Sequence, residues 1–207
     1  MPVEAVIFDI GNVLIEWMPE RYYDRAHGTE MRKRLFAEVD LHAMNDRIDR
    51  GENFRDTVYE TAEAYPDFRH LIHDWYEHWI ALAAPVIPQS VRCQRALRDK
   101  GIPVFALSNF GIQSFDYAKS IYRFLEEFDR SYISGHMGVI KPDPLIYRMV
   151  EADCGVEPDG LLFVDDRADN IAAAVARGWQ THLFETPQGW ADRLIAEGLL
   201  TAEEIAP

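Results

Sequence analysis

VEAVIFDIGNV, residues 3–13, is the stretch on which the fold turns. Val3, Ala5, Val6, Ile7 and Phe8 form a nearly unbroken apolar run that stops at Asp9. A run without polar alternation suits a strand covered on both faces, as in a parallel sheet. Working outward, similar runs occupy 103–107, 131–134 and 161–164, with a weaker one at 180–184. Helical patterns fill the intervals at 89–100, 114–128, 144–154 and 170–177. Gly101, Gly155 and Gly178 stand just past three of them, where helix C-caps belong. Asp169 is the expected N-cap of the last. Strands alternating with helices predict a doubly wound α/β fold. Residues 19–84 differ: they hold no strand-like run, and Tyr22-Tyr23, Leu35-Phe36 and Trp75-Tyr76 recur at helical spacing. They predict an all-helical insertion at 17–85, with hinges near 16–19 and 85–88, splitting an α/β unit made of 1–16 and 86–207.

Composition narrows the function. In 207 residues, 21 Lys+Arg stand against 35 Asp+Glu, a net charge of -14. Such a surface repels nucleic acid and anionic membrane, and no basic run offsets it, so neither partner is expected. No stretch approaches the ~20 apolar residues of a membrane span, and the start of the chain lacks a basic, apolar leader. A cytoplasmic protein is expected. Cys93 and Cys154 are far apart and read as reduced, buried thiols. No sequence feature encodes the oligomeric state.

In a parallel α/β sheet, ligands sit beyond the carboxyl ends of the strands. Those positions here carry Asp9-Ile10-Gly11-Asn12, Ser108-Asn109, Lys141-Pro142-Asp143-Pro144 and Asp165-Asp166-Arg167-Ala168-Asp169-Asn170. Each suits phosphoryl transfer. A carboxylate such as Asp9 can attack phosphorus and split one hard displacement into two easier ones. Adjacent acids such as Asp165 and Asp166 repel each other unless a cation lies between them, and Mg²⁺ prefers oxygen ligands. Lys141 adds fixed positive charge, and the Ser108 hydroxyl with nearby backbone N–H groups can hold phosphate oxygens.

The order of these motifs resembles the haloacid dehalogenase-like hydrolase superfamily: strand then Asp, strand then Ser, Lys before Pro, strand then paired acids. The likeness spans nearly the whole chain. It implies a Rossmann-like core carrying a helical cap inserted between the first and second motifs, as in subfamily I. It implies Asp9 as nucleophile, Lys141 steadying it, and Ser108 with Asn109 on the substrate phosphate. Mg²⁺ is then held by Asp9, the Gly11 carbonyl, Asp166 and Asp165, and the substrate is a small phosphorylated metabolite, such as a sugar phosphate.

One position departs from the family pattern. The usual phosphatase motif is D-x-D, whose second Asp protonates the leaving group; here that place is Gly11. D-x-G-N resembles some sugar-phosphatase-like members. General acid catalysis contributes roughly 10²–10⁴-fold, so its loss predicts a strong dependence on the leaving group unless another residue supplies the proton. The insertion offers a polar cluster in His42, Asn45, Asp46, Arg47 and Arg50, of which His42 and Asp46 could serve. Two rival readings remain at this level. A metal-free 2-haloacid dehalogenase shares the Lys141–Pro144 run but resembles Ser-Ser-Asn, not Asp165-Asp166-Arg167, after its strand. A catalytically weak binding or regulatory member would explain Gly11.

Overall fold

The apolar run near the start of the chain becomes β1 (Ala5–Phe8), buried along its whole length in the computed structural model, which describes residues 2–206. β2 (Ile15–Trp17) follows, then six helices: α1 (Pro19–His27), α2 (Thr29–Glu38), α3 (Leu41–Asp49), α4 (Phe54–Ala64), α5 (Arg69–Glu77) and α6 (Trp79–Leu82). β3 (Ala83–Val86) returns antiparallel to β2, so the two ends of the helical segment meet at one short ribbon. The rest alternates as expected. It runs α7 (Pro88–Asp99), β4 (Val104–Ser108), α8 (Ile112–Ile121), β5 (Arg130–Ile133), α9 (Ser134–Met137), α10 (Pro144–Cys154), β6 (Leu161–Asp165), α11 (Ala168–Val175), β7 (Gln180–Leu183) and α12 (Pro187–Ala196).

The five long-range strands form one parallel sheet in the order β5-β4-β1-β6-β7. The period of two along β1 divides its side chains between two cores. Val6 and Phe8 join a cluster with α7, α12 and the helical segment, while Ala5 and Ile7 join one with α10 and α11. Both faces of the sheet are therefore covered, which is why its central strands read as continuous apolar runs. The chain leaves β1 toward β4 and β5 on one side, then crosses to β6 and β7 on the other. The carboxyl ends of β4, β1 and β6 therefore converge at a topological switch point.

Three local expectations need correction. The pattern at 114–128 is not one helix: α8 ends at Ile121 and a short 3-10 turn (Arg123–Glu126) follows. Tyr122 leaves helical geometry between them and places its hydroxyl on the Ala83 carbonyl at 2.7 Å. Asp169 is not the N-cap of α11. The helix starts at Ala168, and Asp169 sits in its first turn, paired with Arg167 at 2.7 Å. α12 was not foreseen, although Thr186 caps it through the Gly189 N–H and Pro187 starts it. Trp190 on that helix packs edge-on against Phe8, with ring centroids 5.5 Å apart.

The turn after α3 approaches the sheet closely. Gly51 has φ 104, and a Cβ there would lie 2.6 Å from the Gly135 carbonyl oxygen in α9. Backbone cannot yield to that contact as a side chain can. Gly51→Ala is expected to cost roughly 2–4 kcal/mol, from overpacking and a left-handed non-glycine residue together. Urea denaturation measures it, and an unchanged midpoint would contradict this packing.

Candidate active site

Asp9 follows β1 directly, and its backbone N–H donates to Val164 of β6 at 2.9 Å, which fixes where its side chain leaves the sheet. Its Oδ1 accepts from the Ile10 N–H at 2.7 Å and lies 3.0 Å from Lys141 Nζ. Ser108, at the end of β4, hydrogen-bonds the same carboxyl. Lys141 is buried, and its ammonium also donates to the Leu107 carbonyl at 2.9 Å and to Asp165 Oδ2 at 2.6 Å. Burial by itself would push this ammonium toward neutrality, but Asp165 and Asp9 outweigh it and hold the charge.

Asp165 and Asp166 play different parts. Asp165 is fully buried at the end of β6 and takes donors on both oxygens: Lys141 Nζ, the Asn170 amide at 3.0 Å and the Arg167 N–H at 2.8 Å. It lies beneath the cavity floor. Asp166 faces the cavity, and its Oδ2 accepts from Asn12 Nδ2 at 2.9 Å. Asn12 has φ 54, a left-handed conformation that Asn tolerates better than most residues. Its Oδ1 accepts from the Trp17 N–H at 2.8 Å, so one amide ties the loop after β1, the acid pair and β2 together.

The Asp9, Asp165 and Asp166 carboxylates lie with oxygens within 4.8 Å of one another. Burial raises Asp9 to about 7, Lys141 opposes that rise, and Asp165 and Asp166 add to it. Asp166 is raised as well, chiefly by burial. Three carboxylates share one ammonium, and Asp9 and Asp166 are driven toward the protonated form; the set offers the hard oxygen donors that a divalent cation takes.

Asp9, Gly11, Ser108, Asn109, Lys141 and Asp166 all line one cavity of about 260 Å³. Asn109, expected on the substrate phosphate, has its side chain committed elsewhere. Its Nδ2 donates to the Lys141 carbonyl at 2.9 Å and its Oδ1 accepts from the Lys141 N–H at 2.7 Å. The Asn109 amide therefore pins the loop that presents Lys141. Gly11 is open: a Cβ there would meet nothing nearer than Trp17 Cβ at 3.8 Å. A side chain is absent from position 11 without being forbidden there.

The remaining wall comes from the helical segment. His42, Asn45, Asp46 and Asp49 of α3 all line the cavity, with Trp17 and Trp79 beside them. Arg47 and Arg50, from the same polar cluster, turn to other carboxylates: Arg47 to Glu52 and Glu60, Arg50 to Asp46. Asp49 was not among the sequence candidates. Its signal was present, because 42, 45, 46 and 49 follow the i, i+3, i+4, i+7 rhythm of one helix face.

A family model described as haloacid dehalogenase-like hydrolase matches residues 3–178. Among curated proteins, drimenol cyclase drtB of Aspergillus calidoustus is 24% identical over 190 residues, covering 88% of this chain and 34% of that protein. The chain spans between about a third and a half of the length of the curated relatives it matches. Among solved structures, the HAD family enzyme bt-2542 of Bacteroides thetaiotaomicron superimposes with a TM-score of 0.72 at 20% identity, covering 94% of this chain and 99% of that one. The same enzyme is known in complex with magnesium and inorganic phosphate. L-2-haloacid dehalogenase of Xanthobacter autotrophicus superimposes with a TM-score of 0.63 at 19% identity, covering 98% and 86%. At these identities the structural likeness establishes a shared fold. Among the described residues no helix is long and apolar enough to cross a membrane.

Proposed function

The chain belongs to the haloacid dehalogenase-like hydrolase family, and on that basis we propose that it is a Mg²⁺-dependent phosphatase acting on a small phosphorylated metabolite through an aspartyl-phosphate at Asp9. The observation that carries this reading is the carboxylate trio, two of its members buried and the third facing the cavity, set against a single lysine. A metal-free dehalogenase binds a carboxylate substrate, which three acids sharing one ammonium would disfavour. The bt-2542 complex with magnesium and inorganic phosphate supports the phosphatase reading on the same fold.

In this account Asp9, the Gly11 carbonyl and Asp166 hold the cation. Asp165 stands behind them and keeps Lys141 in place, its oxygens being taken by four hydrogen bonds from three donors. Bound Mg²⁺ supplies the positive charge that lets an anionic nucleophile and an anionic phosphate approach. Asp9 attacks phosphorus, the bond from phosphorus to the leaving oxygen breaks, and an acyl phosphate forms. Water then attacks that phosphorus, releasing inorganic phosphate and regenerating the Asp9 carboxylate. Ser108 and backbone N–H groups hold the phosphate oxygens, and Lys141 keeps Asp9 ionised and aimed. Residues 17–85 serve as the cap over a core of 1–16 and 86–207. A cavity of about 260 Å³ suits a sugar-phosphate-sized ligand better than a polymer.

The direct test is hydrolysis of p-nitrophenyl phosphate with and without Mg²⁺. Metal-dependent phosphate release is expected. Turnover that survives exhaustive chelation, or chloride release from 2-chloropropionate instead, would favour the dehalogenase.

The charge balance also predicts a pH effect. Without metal, folded Asp9 keeps its proton up to about pH 7, whereas an unfolded Asp loses it near 3.9. The folded state binds more protons across that window, so stability falls as pH rises through it. Mg²⁺ competes with those protons. The rise in melting temperature on adding Mg²⁺ should therefore be larger at about pH 8 than at about pH 6. Equal shifts at both pH values would contradict a cation site built on Asp9.

A further inference from the structure

The phosphatase reading leaves one proton unassigned. When the phosphorus–oxygen bond breaks, the departing oxygen leaves as an alkoxide unless it is protonated, and Gly11 has no group to give. His42 and Asp46 reach the cavity but point largely to water: their side chains are 66% and 55% exposed, and they lie nearest Glu20 and Arg50. Asp49 differs from both. It is 8% exposed, lines the same cavity as Asp9, and sits at the C-terminal end of α3 where the cap meets the core.

Asp49 is also held in place. Its Oδ2 accepts from Asn45 Nδ2 at 2.8 Å, and Asn45 Oδ1 accepts from Trp75 Nε1 at 3.3 Å, which fixes the orientation of that amide. The Gly111 N–H, in the loop after β4, acts on the carboxyl from the core side and favours its charged form. The Asp49 carbonyl accepts from Ser134 Oγ at 2.6 Å, and Ser134 Oγ accepts from the Phe110 N–H at 2.9 Å. The carboxyl is thus clamped from both cap and core, next to the strand end that carries Ser108.

We infer that Asp49 is the general acid of this site, giving its carboxyl proton to the leaving-group oxygen as the phosphorus–oxygen bond breaks. The inference rests on the phosphatase reading. The departing group leaves as the neutral alcohol and Asp49 becomes a carboxylate, which accepts a proton from the water that hydrolyses the acyl phosphate. Atoms and charge then balance over the cycle. Burial keeps the carboxyl protonated near neutrality, pushing it up to about 8; Asp46 and Asp9 add to that, while the Gly111 N–H and Lys141 oppose it.

The test is a leaving-group series running from p-nitrophenyl through substituted phenyl to benzyl phosphate, assayed with Mg²⁺. Asp49→Asn is expected to lower kcat on every ester, because the acyl phosphate then loses its proton acceptor. It should lower kcat/KM, which reads the phosphorylation step, far less for p-nitrophenyl phosphate than for benzyl phosphate, because the first leaving group needs no proton. For benzyl phosphate the loss in kcat/KM should be on the order of 10²–10³-fold. The wild-type rate with benzyl phosphate should fall as pH rises and Asp49 ionises, and the variant should lack that limb. Asp49→Glu, which keeps the acid, should retain a benzyl-to-nitrophenyl ratio within about tenfold of wild type. Gly11→Asp combined with Asp49→Asn should recover benzyl turnover, since position 11 has room for a side chain. Equal losses of kcat/KM on both esters, or no loss on either, would overturn the assignment and leave Asp49 as a cap clamp. Wild-type protein inert toward every ester in the series would instead remove the phosphatase reading, and the inference with it.

Discussion

Asp9→Asn is expected to leave a folded protein with no measurable turnover. The substitution is nearly isosteric and keeps an acceptor for the Ile10 N–H, so the carboxyl end of β1 is undisturbed. It also removes one of three crowded negative charges, and the metal-free variant should melt at or above the wild-type temperature. An amide cannot form the acyl phosphate, and losing a covalent nucleophile costs on the order of 10⁴–10⁶-fold in kcat. Two readouts are needed: phosphate release and a thermal melt. A well-folded variant keeping more than about a tenth of wild-type activity would mean that another group attacks phosphorus.

Lys141 carries the second large effect. Its ammonium is the one cation among the side chains that contact Asp9 and Asp165, and it is buried with them. Removing one partner from such a set leaves uncompensated buried charge, which costs roughly 3–5 kcal/mol. Lys141→Met fills similar space without the charge, so the loss in urea denaturation should reflect electrostatics and not a cavity. Activity should fall by at least about 10²-fold, the scale of a lost electrostatic contact to the reacting group. A variant with unchanged stability and a modest change in rate would show that Asp165 and Asp9 do not depend on this lysine.

The sequence made the sheet and the site's main chemistry legible for a common reason. β1, β4 and β6 are buried on both faces, so their runs stand out without alternation, and in this fold the ligand groups follow directly after such runs. Asp9, Ser108 and Asp166 could be named as candidates before any coordinates because each stands at the end of such a run. Lys141 lies in the loop between α9 and α10 and is legible from its place before Pro142 in the motif order. What stayed hidden depends on contacts between distant segments. Asn109 stands beside Ser108 in sequence, yet its amide turns to the Lys141 backbone across 32 positions. Asp165 and Asp166 are adjacent and chemically identical; only the arrival of Lys141 and Asn170 separates a buried anchor from a cavity-facing acid. Asp49 looks like another acid on a charged helix. It stands out only once Ile48 and Gly51 pack onto the Gly111 and Gly135 backbones and draw that end of α3 against the core. The α3 periodicity could have grouped it with His42, Asn45 and Asp46, but not distinguished its burial from theirs.

The covalent intermediate is the centre of the account, and trapping it is the most direct test. Enzyme mixed with p-nitrophenyl phosphate and Mg²⁺, quenched in acid within the first turnover, then reduced with borohydride, should yield homoserine in place of aspartate at position 9. Peptide mass spectrometry reads that change. The conversion is expected at Asp9 alone, dependent on Mg²⁺ and on the phosphate ester, and absent in Asp9→Asn. Phosphate released without any modified residue at position 9, or modification of Asp9 by 2-chloropropionate without metal, would contradict it.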